Sequence, residues 1–494
     1  MASLAAAALG GCAARPPTGA PPTSTDSSTV STGTPESPAT AVTTATPTAR
    51  PDPPSSVDAD WPMPAADPGR SSAVLDAAGP TDRPAALWET EADATLTQPV
   101  LAGGALYVGA SDGRLLAFDA RTGDRRWERP VGAPAARPWV LDGSVYAPTA
   151  DGVVAFDAGG TERWRVPTPN RAGLAVASHG LYWLADGDAA TVVALARSDG
   201  SERWRFAPSD QPWPAPPAVH DGTVFVTASD EDEIHALDAE TGDELWSLDG
   251  DRHVHVSPHL LAGELVNEPS VLVGDATGRV AALDPATGDA AWTVDLFGAV
   301  RAFAYRAPML YVGTSSGEVS VFLTEERERP RERWRRQVDG AIEGIAPTAN
   351  GVAVSSFGGP LVNLNGDAAG APSWTAEERR AGSTPVHAGS WFYSVGYDAA
   401  SATRSYDGEV GWRADAPFGS APPVAAGDTL YTAGEEAVHA FDLDGGGPLS
   451  SGKRFSHPVS GGGIQGLAVA DGALFVARQS GEENGTTLYC LEPN

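Results

Sequence analysis

Tryptophan returns about every forty residues along the chain, at Trp88, Trp127, Trp164, Trp204, Trp246, Trp292, Trp334, Trp374 and Trp412. The residues ahead of it return as well. Ala117-Phe-Asp-Ala-Arg-Thr-Gly-Asp-Arg-Arg-Trp127 is repeated as Ala236-Leu-Asp-Ala-Glu-Thr-Gly-Asp-Glu-Leu-Trp246 and as Ala282-Leu-Asp-Pro-Ala-Thr-Gly-Asp-Ala-Ala-Trp292. A period of this length means that one supersecondary unit has been copied in series, and the fold must be one that stacks such units.

Residues 99–127 hold the first clear copy. Ala105-Leu-Tyr-Val108 is a short β-branched and aromatic run, and Ser111-Asp-Gly113 reads as a turn. Leu115-Leu-Ala-Phe118 is a second run, Asp119-Ala-Arg-Thr-Gly123 a second turn, and Arg125-Arg-Trp127 begins a further strand. With Pro99-Val-Leu101 ahead, the pattern predicts a four-stranded antiparallel meander. One such sheet cannot bury both faces. Arrayed around an axis against its copies it can, and only short edges stay exposed, which predicts an all-β chain folded as a single β-propeller. In the repeated turn, Gly supplies a backbone conformation that other residues resist, and Asp caps the loop backbone through its carboxylate. The indole is large enough to bridge neighbouring outer strands while its N–H finds a backbone acceptor, so the nine tryptophans read as structural mortar.

Units end at Trp127, Trp164, Trp204, Trp246, Trp292, Trp334, Trp374 and Trp412, that around Trp374 being degenerate. A further unit, Thr429-Leu-Tyr431 with Val438-His-Ala-Phe-Asp442, lacks the Trp and has Phe455 in its place. The last hairpin, Ala473-Leu-Phe-Val476 with Thr487-Leu-Tyr-Cys-Leu491, has no outer strand, whereas Ala86-Leu-Trp88 is an outer strand with no hairpin. Pairing the two ends completes a tenth unit and closes the ring.

These motifs make the chain, over about residues 82–494, resemble the pyrroloquinoline-quinone-like β-propeller repeat family, which includes the BamB outer-membrane assembly lipoprotein and the quinone-dependent alcohol dehydrogenases. The resemblance implies eight blades as the family norm, so ten is a departure and eight remains the alternative. Its enzymatic branch implies a quinone held over Ca²⁺ by carboxylate and amide side chains, with a disulfide between adjacent cysteines against the ring. This chain has only Cys12 and Cys490, and no matching ligand set can be placed. No cofactor and no catalytic residue are therefore expected.

Residues 13–80 are rich in Pro, Thr, Ser and Ala and carry few large apolar side chains. Such a segment cannot offset its ordering entropy by burial, so a disordered tether is expected. The Thr and Ser between 23 and 48 also suit an O-glycosylated stalk. Ahead of it, residues 1–12 (Met1-Ala-Ser-Leu-Ala-Ala-Ala-Ala-Leu-Gly-Gly-Cys12) read as the tail of a signal peptide. Leu9-Gly-Gly-Cys12 resembles a lipobox, with Cys12 as the lipid-attachment site, although no Lys or Arg precedes the apolar run. The true start could accordingly lie further upstream.

The net charge is −31, with Lys453 as the only lysine. That balance repels nucleic acid and anionic membrane surfaces. It resembles the acidic, lysine-poor surfaces of proteins from salt-loving organisms, where a Debye length of about 3 Å at molar salt abolishes long-range steering.

Four clusters stand outside the repeat. His253 and His255 share a strand face and, with His259 near the inner strand, form a weak candidate for Zn²⁺ or Cu²⁺. Histidines in such a turn-rich connector are more often solvated, so no metal is expected. Asp230-Glu-Asp-Glu233 lacks the glycine and ligand alternation of a Ca²⁺ loop, and Asp442-Leu-Asp-Gly-Gly-Gly447 is weaker still. Glu325 to Arg336 reads as a long charged loop replacing the Thr-Gly turn, a docking loop for an acidic partner if its glutamates leave any net charge. Asn484-Gly-Thr486 fits an N-glycan sequon.

Together these features predict a monomeric, lipid-tethered, extracytoplasmic propeller that binds other envelope or membrane proteins without catalysis. An enzyme or small-molecule binder using the axial funnel is the alternative. An outer-membrane assembly role does not transfer if the acidic composition marks an organism without that membrane.

Overall fold

Each copy of the repeat forms four antiparallel strands, and the reason lies in how the apolar residues are distributed. Middle strands such as Ala105–Gly109 and Arg114–Asp119 are buried along almost their whole length, because sheets pack on both of their faces. Outer strands such as Glu162–Val166, Glu202–Phe206 and Glu244–Leu248 bury only the central tryptophan. The computed structural model describes residues 73–74 and 78–493, except 133–135, 169, 186–190, 208–216, 221, 228–233, 249–258, 262–269, 307, 325–329, 349, 358, 377–384, 389–390, 396–398, 416–423, 435–436, 443–452, 460, 471 and 481–484. The chain divides into two units, residues 1–50 and 51–494, and every described residue belongs to the second.

Ten blades of four antiparallel strands follow one another, with no helix among the described residues. They span 100–130, 139–166, 170–206, 218–248, 259–295, 300–337, 342–376, 386–415, 424–458 and, for the tenth, 464–493 with 84–92. The count read from the repeats stands, and the eight-bladed alternative is overturned: every copy, including the degenerate one around Trp374, supplies its own sheet. In the ninth blade Phe455 pairs with Ala440, the register that sets Trp127 opposite Ala117.

Closure joins the two ends of the propeller. Pro84–Ala92 pairs antiparallel with Thr486–Pro493, Trp88 lying opposite Cys490. The Trp88 indole then donates to the carbonyl of Ala120 in the first blade at 3.0 Å. Within the segment read as a tether, Ala73–Val74 adds a parallel strand along Val424–Ala426, the inner strand of the ninth blade. From there the chain crosses to the tenth: Gly472 donates to the Ala78 carbonyl at 2.7 Å, and the Tyr431 hydroxyl donates to that of Pro80 at 3.0 Å. Gly79 has no room for a side chain, since a Cβ there would lie 2.3 Å from the Tyr431 oxygen. The rest of 13–77, like Cys12, lies outside the described residues.

Candidate functional site

Antiparallel strands place successive connections at opposite ends of a blade. The links between first and second strands, and between third and fourth, make one face of the ring, here the turn face. The links between second and third strands, and between blades, make the other, the connector face.

The turn face is built for packing. In Asp119-Ala-Arg-Thr-Gly123 the Asp119 carboxylate accepts from the backbone N–H groups of Arg121 and Thr122, and Asp238 does the same for Glu240 and Thr241. The Thr241 N–H bond holds the Asp238 carboxyl below the usual carboxylate range despite slight desolvation, and Thr161 acts likewise on Asp157. Gly123 has φ +74°, and a Cβ on it would sit 2.6 Å from the ring of Trp88. The same close approach sets Gly160 against Trp127, Gly200 against Trp164, Gly242 against Trp204, Gly288 against Trp246, Gly370 against Trp334 and Gly408 against Trp374. Each indole therefore rests on the turn glycine of the next blade. The ring nitrogens of Trp127, Trp164, Trp204, Trp246 and Trp374 donate to Ala158, Arg197, Ala239, Pro285 and Ser405 of that turn at 2.9–3.1 Å. Trp334 is buried, but its Nε1 makes no hydrogen bond among the described residues. Trp292 is buried, and Trp412 lies in the strand Val410–Asp415 opposite Ala402.

A register shift just before each of these tryptophans brings flanking residues three apart to one side of the outer strand. Glu162 pairs with Arg165 at 2.9 Å, Glu202 with Arg205 at 2.8 Å and Glu332 with Arg335 at 2.9 Å. Exposed pairs like these stabilise little. They do leave every such edge charged, which discourages another strand from pairing with it. The same geometry corrects the sequence reading of the arginine cluster: Arg331–Gln337 is the outer strand of the sixth blade, not loop. An outer strand needs one buried residue, Trp334, so charge on its neighbours does not disfavour the strand. Two of its arginines are paired across strands or blades, Arg335 with Glu318 at 3.2 Å and Arg333 with Asp367 at 3.4 Å.

The connector face is irregular. Links between blades run from three residues (167–169) to eleven (207–217). His253 and His255 belong to a link between blades and Asp230–Glu233 to a link between second and third strands; all of them, like Asn484, lie outside the described residues. His259 opens the inner strand His259–Leu261 of the fifth blade, opposite Leu272. Among the described residues no group of three or more His, Cys, Asp or Glu could hold a metal ion. Cys490 is buried as a free thiol, and burial pushes its pKa well up.

What the sequence did not single out on this face is a pair of aromatic rings. Phe297 is 71% exposed and Phe357 68%. Tyr406 is as exposed, but it sits on the turn face with the Arg404 guanidinium 4.6 Å above its ring. The two phenylalanines belong to like-built frames in successive blades. Thr314 Oγ1 donates to the Phe297 carbonyl at 2.8 Å, as Ser356 Oγ donates to that of Asp339 at 2.6 Å. Ser315 N–H donates to Ala299 at 2.7 Å, as Phe357 N–H donates to Ala341 at 2.8 Å. The two hydrogen-bonded frames are alike, and a Phe projects from a different position of each.

A family model described as outer membrane protein assembly factor BamB matches residues 78–154, 150–356 and 276–390. The serine/threonine-protein kinase AfsK of Streptomyces griseus is 36% identical over 144 residues, covering 26% of this chain and 18% of that protein. The outer membrane protein assembly factor BamB of Alkalilimnicola ehrlichii is 30% identical over 207 residues, 38% of this chain and 50% of that protein. The chain thus spans half or less of the length of these curated relatives. Among solved structures, a europium-containing methanol dehydrogenase aligns over 88% of this chain and 98% of its own at a TM-score of 0.50 and 13% identity, a likeness of fold alone. With ten repeat-built blades and a family match running through residues 78–390, the chain belongs to the BamB family of PQQ-like-repeat propellers.

Proposed function

We propose that this protein is a non-catalytic scaffold of the cell envelope, tethered outside the cytoplasmic membrane through lipidated Cys12, whose connector face binds other envelope proteins. Membership of the BamB family carries this proposal, because the curated relatives named for outer membrane protein assembly match the ring itself. The lipobox-like Leu9-Gly-Gly-Cys12 and the Pro/Ser/Thr-rich stretch behind it supply an anchor and a spacer. A rigid ring with varied links on one face suits binding without chemistry: the seams fix the loops, and the loops meet the partner. The dehydrogenase alternative has no adjacent-cysteine pair to support it.

Lipid labelling with membrane fractionation tests the tether. The wild-type chain should take up label and sediment with membranes, and Cys12→Ala should do neither. A wild-type chain that remains unlabelled in the cytosol would overturn the envelope assignment. In vivo crosslinking from the connector face should then trap envelope proteins, and the same probe on the turn face should not.

A further inference from the structure

We infer that Phe297 and Phe357 form a two-point anchor on the connector face of the sixth and seventh blades, and that its ligand is a peptide segment presenting two apolar side chains flanked by Lys or Arg.

Large apolar side chains left in water are informative when they cluster on one face, since a single exposed apolar residue is ordinary. Here both rings belong to connections at the same end of neighbouring blades. Their backbones are fixed on both sides. The Phe297 carbonyl accepts from Thr314 and also from Ser316, and Gly298 follows at φ +88°. Phe357 is held through its N–H to Ala341, and Ser356 beside it bonds Asp339. The inner strands beneath are joined by Arg301 and Glu343 at 3.6 Å. Rings displayed on such a frame lose little freedom on binding, which is what an interface hot spot requires.

Comparison of the two stations makes the exposure specific. The frame that carries Phe297 in one connection carries Asp339 in the next, and the frame that carries Phe357 carries Ser315 in the blade before. Polar residues satisfy this turn equally well, so the phenylalanines are not required by its geometry.

Charge decides the flanks of the ligand. Asp295 comes two residues before Phe297, the Asp339 carbonyl accepts from Ser356 next to Phe357, both aspartates are exposed, and the chain as a whole carries −31. Exposed carboxylates close to apolar anchors in the chain attract cationic groups and repel acidic ones. The inference rests on the protein-binding reading above and names the surface it would use.

A peptide library displayed on phage, selected at low salt against the immobilised full-length chain, tests it. Enriched sequences should carry two large apolar residues with Lys or Arg nearby. A synthetic peptide from that pool should bind the Phe297→Ser, Phe357→Ser double variant at least ten-fold more weakly, and Phe297→Leu, Phe357→Leu should recover most of the affinity. Asp295→Asn with Asp339→Asn should weaken binding and flatten its salt dependence. An unchanged melting temperature establishes that each variant is folded. No enrichment, or enriched peptides whose affinity survives the double serine variant, would overturn the anchor. Either result leaves the lipid-labelling and crosslinking outcomes untouched, so failure of this surface is distinguishable from failure of the scaffold assignment.

Discussion

The turn face and the connector face are made by the same ten blades, yet they solve opposite problems. On the turn face nearly every aromatic is covered: an indole lies on a glycine whose φ and lack of Cβ are both required, and the surrounding carboxylates are spent on backbone N–H groups. On the connector face two phenylalanines stand in water on frames that polar residues also fill. Stability is concentrated between blades on one side, and side-chain freedom is left on the other. A scaffold needs that division, because residues committed to holding the ring cannot be varied for a partner.

The sharpest way to break the comparison is to remove one seam. Trp127→Ala takes away a buried indole that packs on Gly160 and Phe156, and should cost about 3–5 kcal/mol, read as a lower melting temperature or urea midpoint. A loss below about 1 kcal/mol would mean that the seams do not hold the ring. Gly160→Val attacks the same seam from the other blade. It forces a β-branched residue to φ +79° against the ring of Trp127, with strain of about 1–3 kcal/mol and further loss from overpacking; the equivalent change at Gly143, where nothing lies within 4 Å of a Cβ, should cost only the strain.

Gly79→Val is a smaller perturbation, about 1–3 kcal/mol from overpacking against Tyr431 and Val469. In a Tyr431→Ala background, which opens that space, the same change should lower the melting temperature less; an equal loss in both backgrounds would show that the contact with Tyr431 is not its origin.

Acid should weaken the interior before the turns. Burial, with a smaller contribution from Lys453, depresses His439 from 6.5 to about 4, and burial lowers His387 and His457 as well. The unfolded chain takes up these protons first, so stability should decline as pH falls below about 6.5 and level off for His439 near 4. Asp157 and Asp238 have folded pKa values below 3.8, so their contribution is complete above that value and fades as pH falls through the folded values. A melting temperature that is flat from pH 7 to 4.5, or that His439→Asn leaves with the same slope, would contradict the first part.

The smallest expected effect lies on the connector face. Phe297→Ser with Phe357→Ser should change stability by no more than about 0.5 kcal/mol, as for surface positions generally. A large loss would place the two rings among the structural aromatics and remove the contrast.

Much of this architecture was legible because its signals are local. Alternating apolar runs, Asp-Gly and Thr-Gly turns and a spacing near forty residues lie within short windows, so the number of blades and the pairing of the two ends follow without any knowledge of contacts. Phe455 could be placed as the stand-in for tryptophan for the same reason. Local reading failed at Arg331–Gln337, where dense charge suggested loop, because an outer strand tolerates charge at every position except the one that packs. It was also silent on Phe297 and Phe357, which read like any other hydrophobic residue.

What the sequence determined by itself, then, is the repeating unit, how many times it occurs and how the ring shuts, since period and turn chemistry are properties of contiguous residues. Only the tertiary structure decided that seven of the indoles sit on the next blade's glycine, that Ala73–Val74 lines the ninth blade, and that two phenylalanines sixty residues apart share one face. Those facts depend on which ends of different blades come together, and no short stretch of chain encodes that.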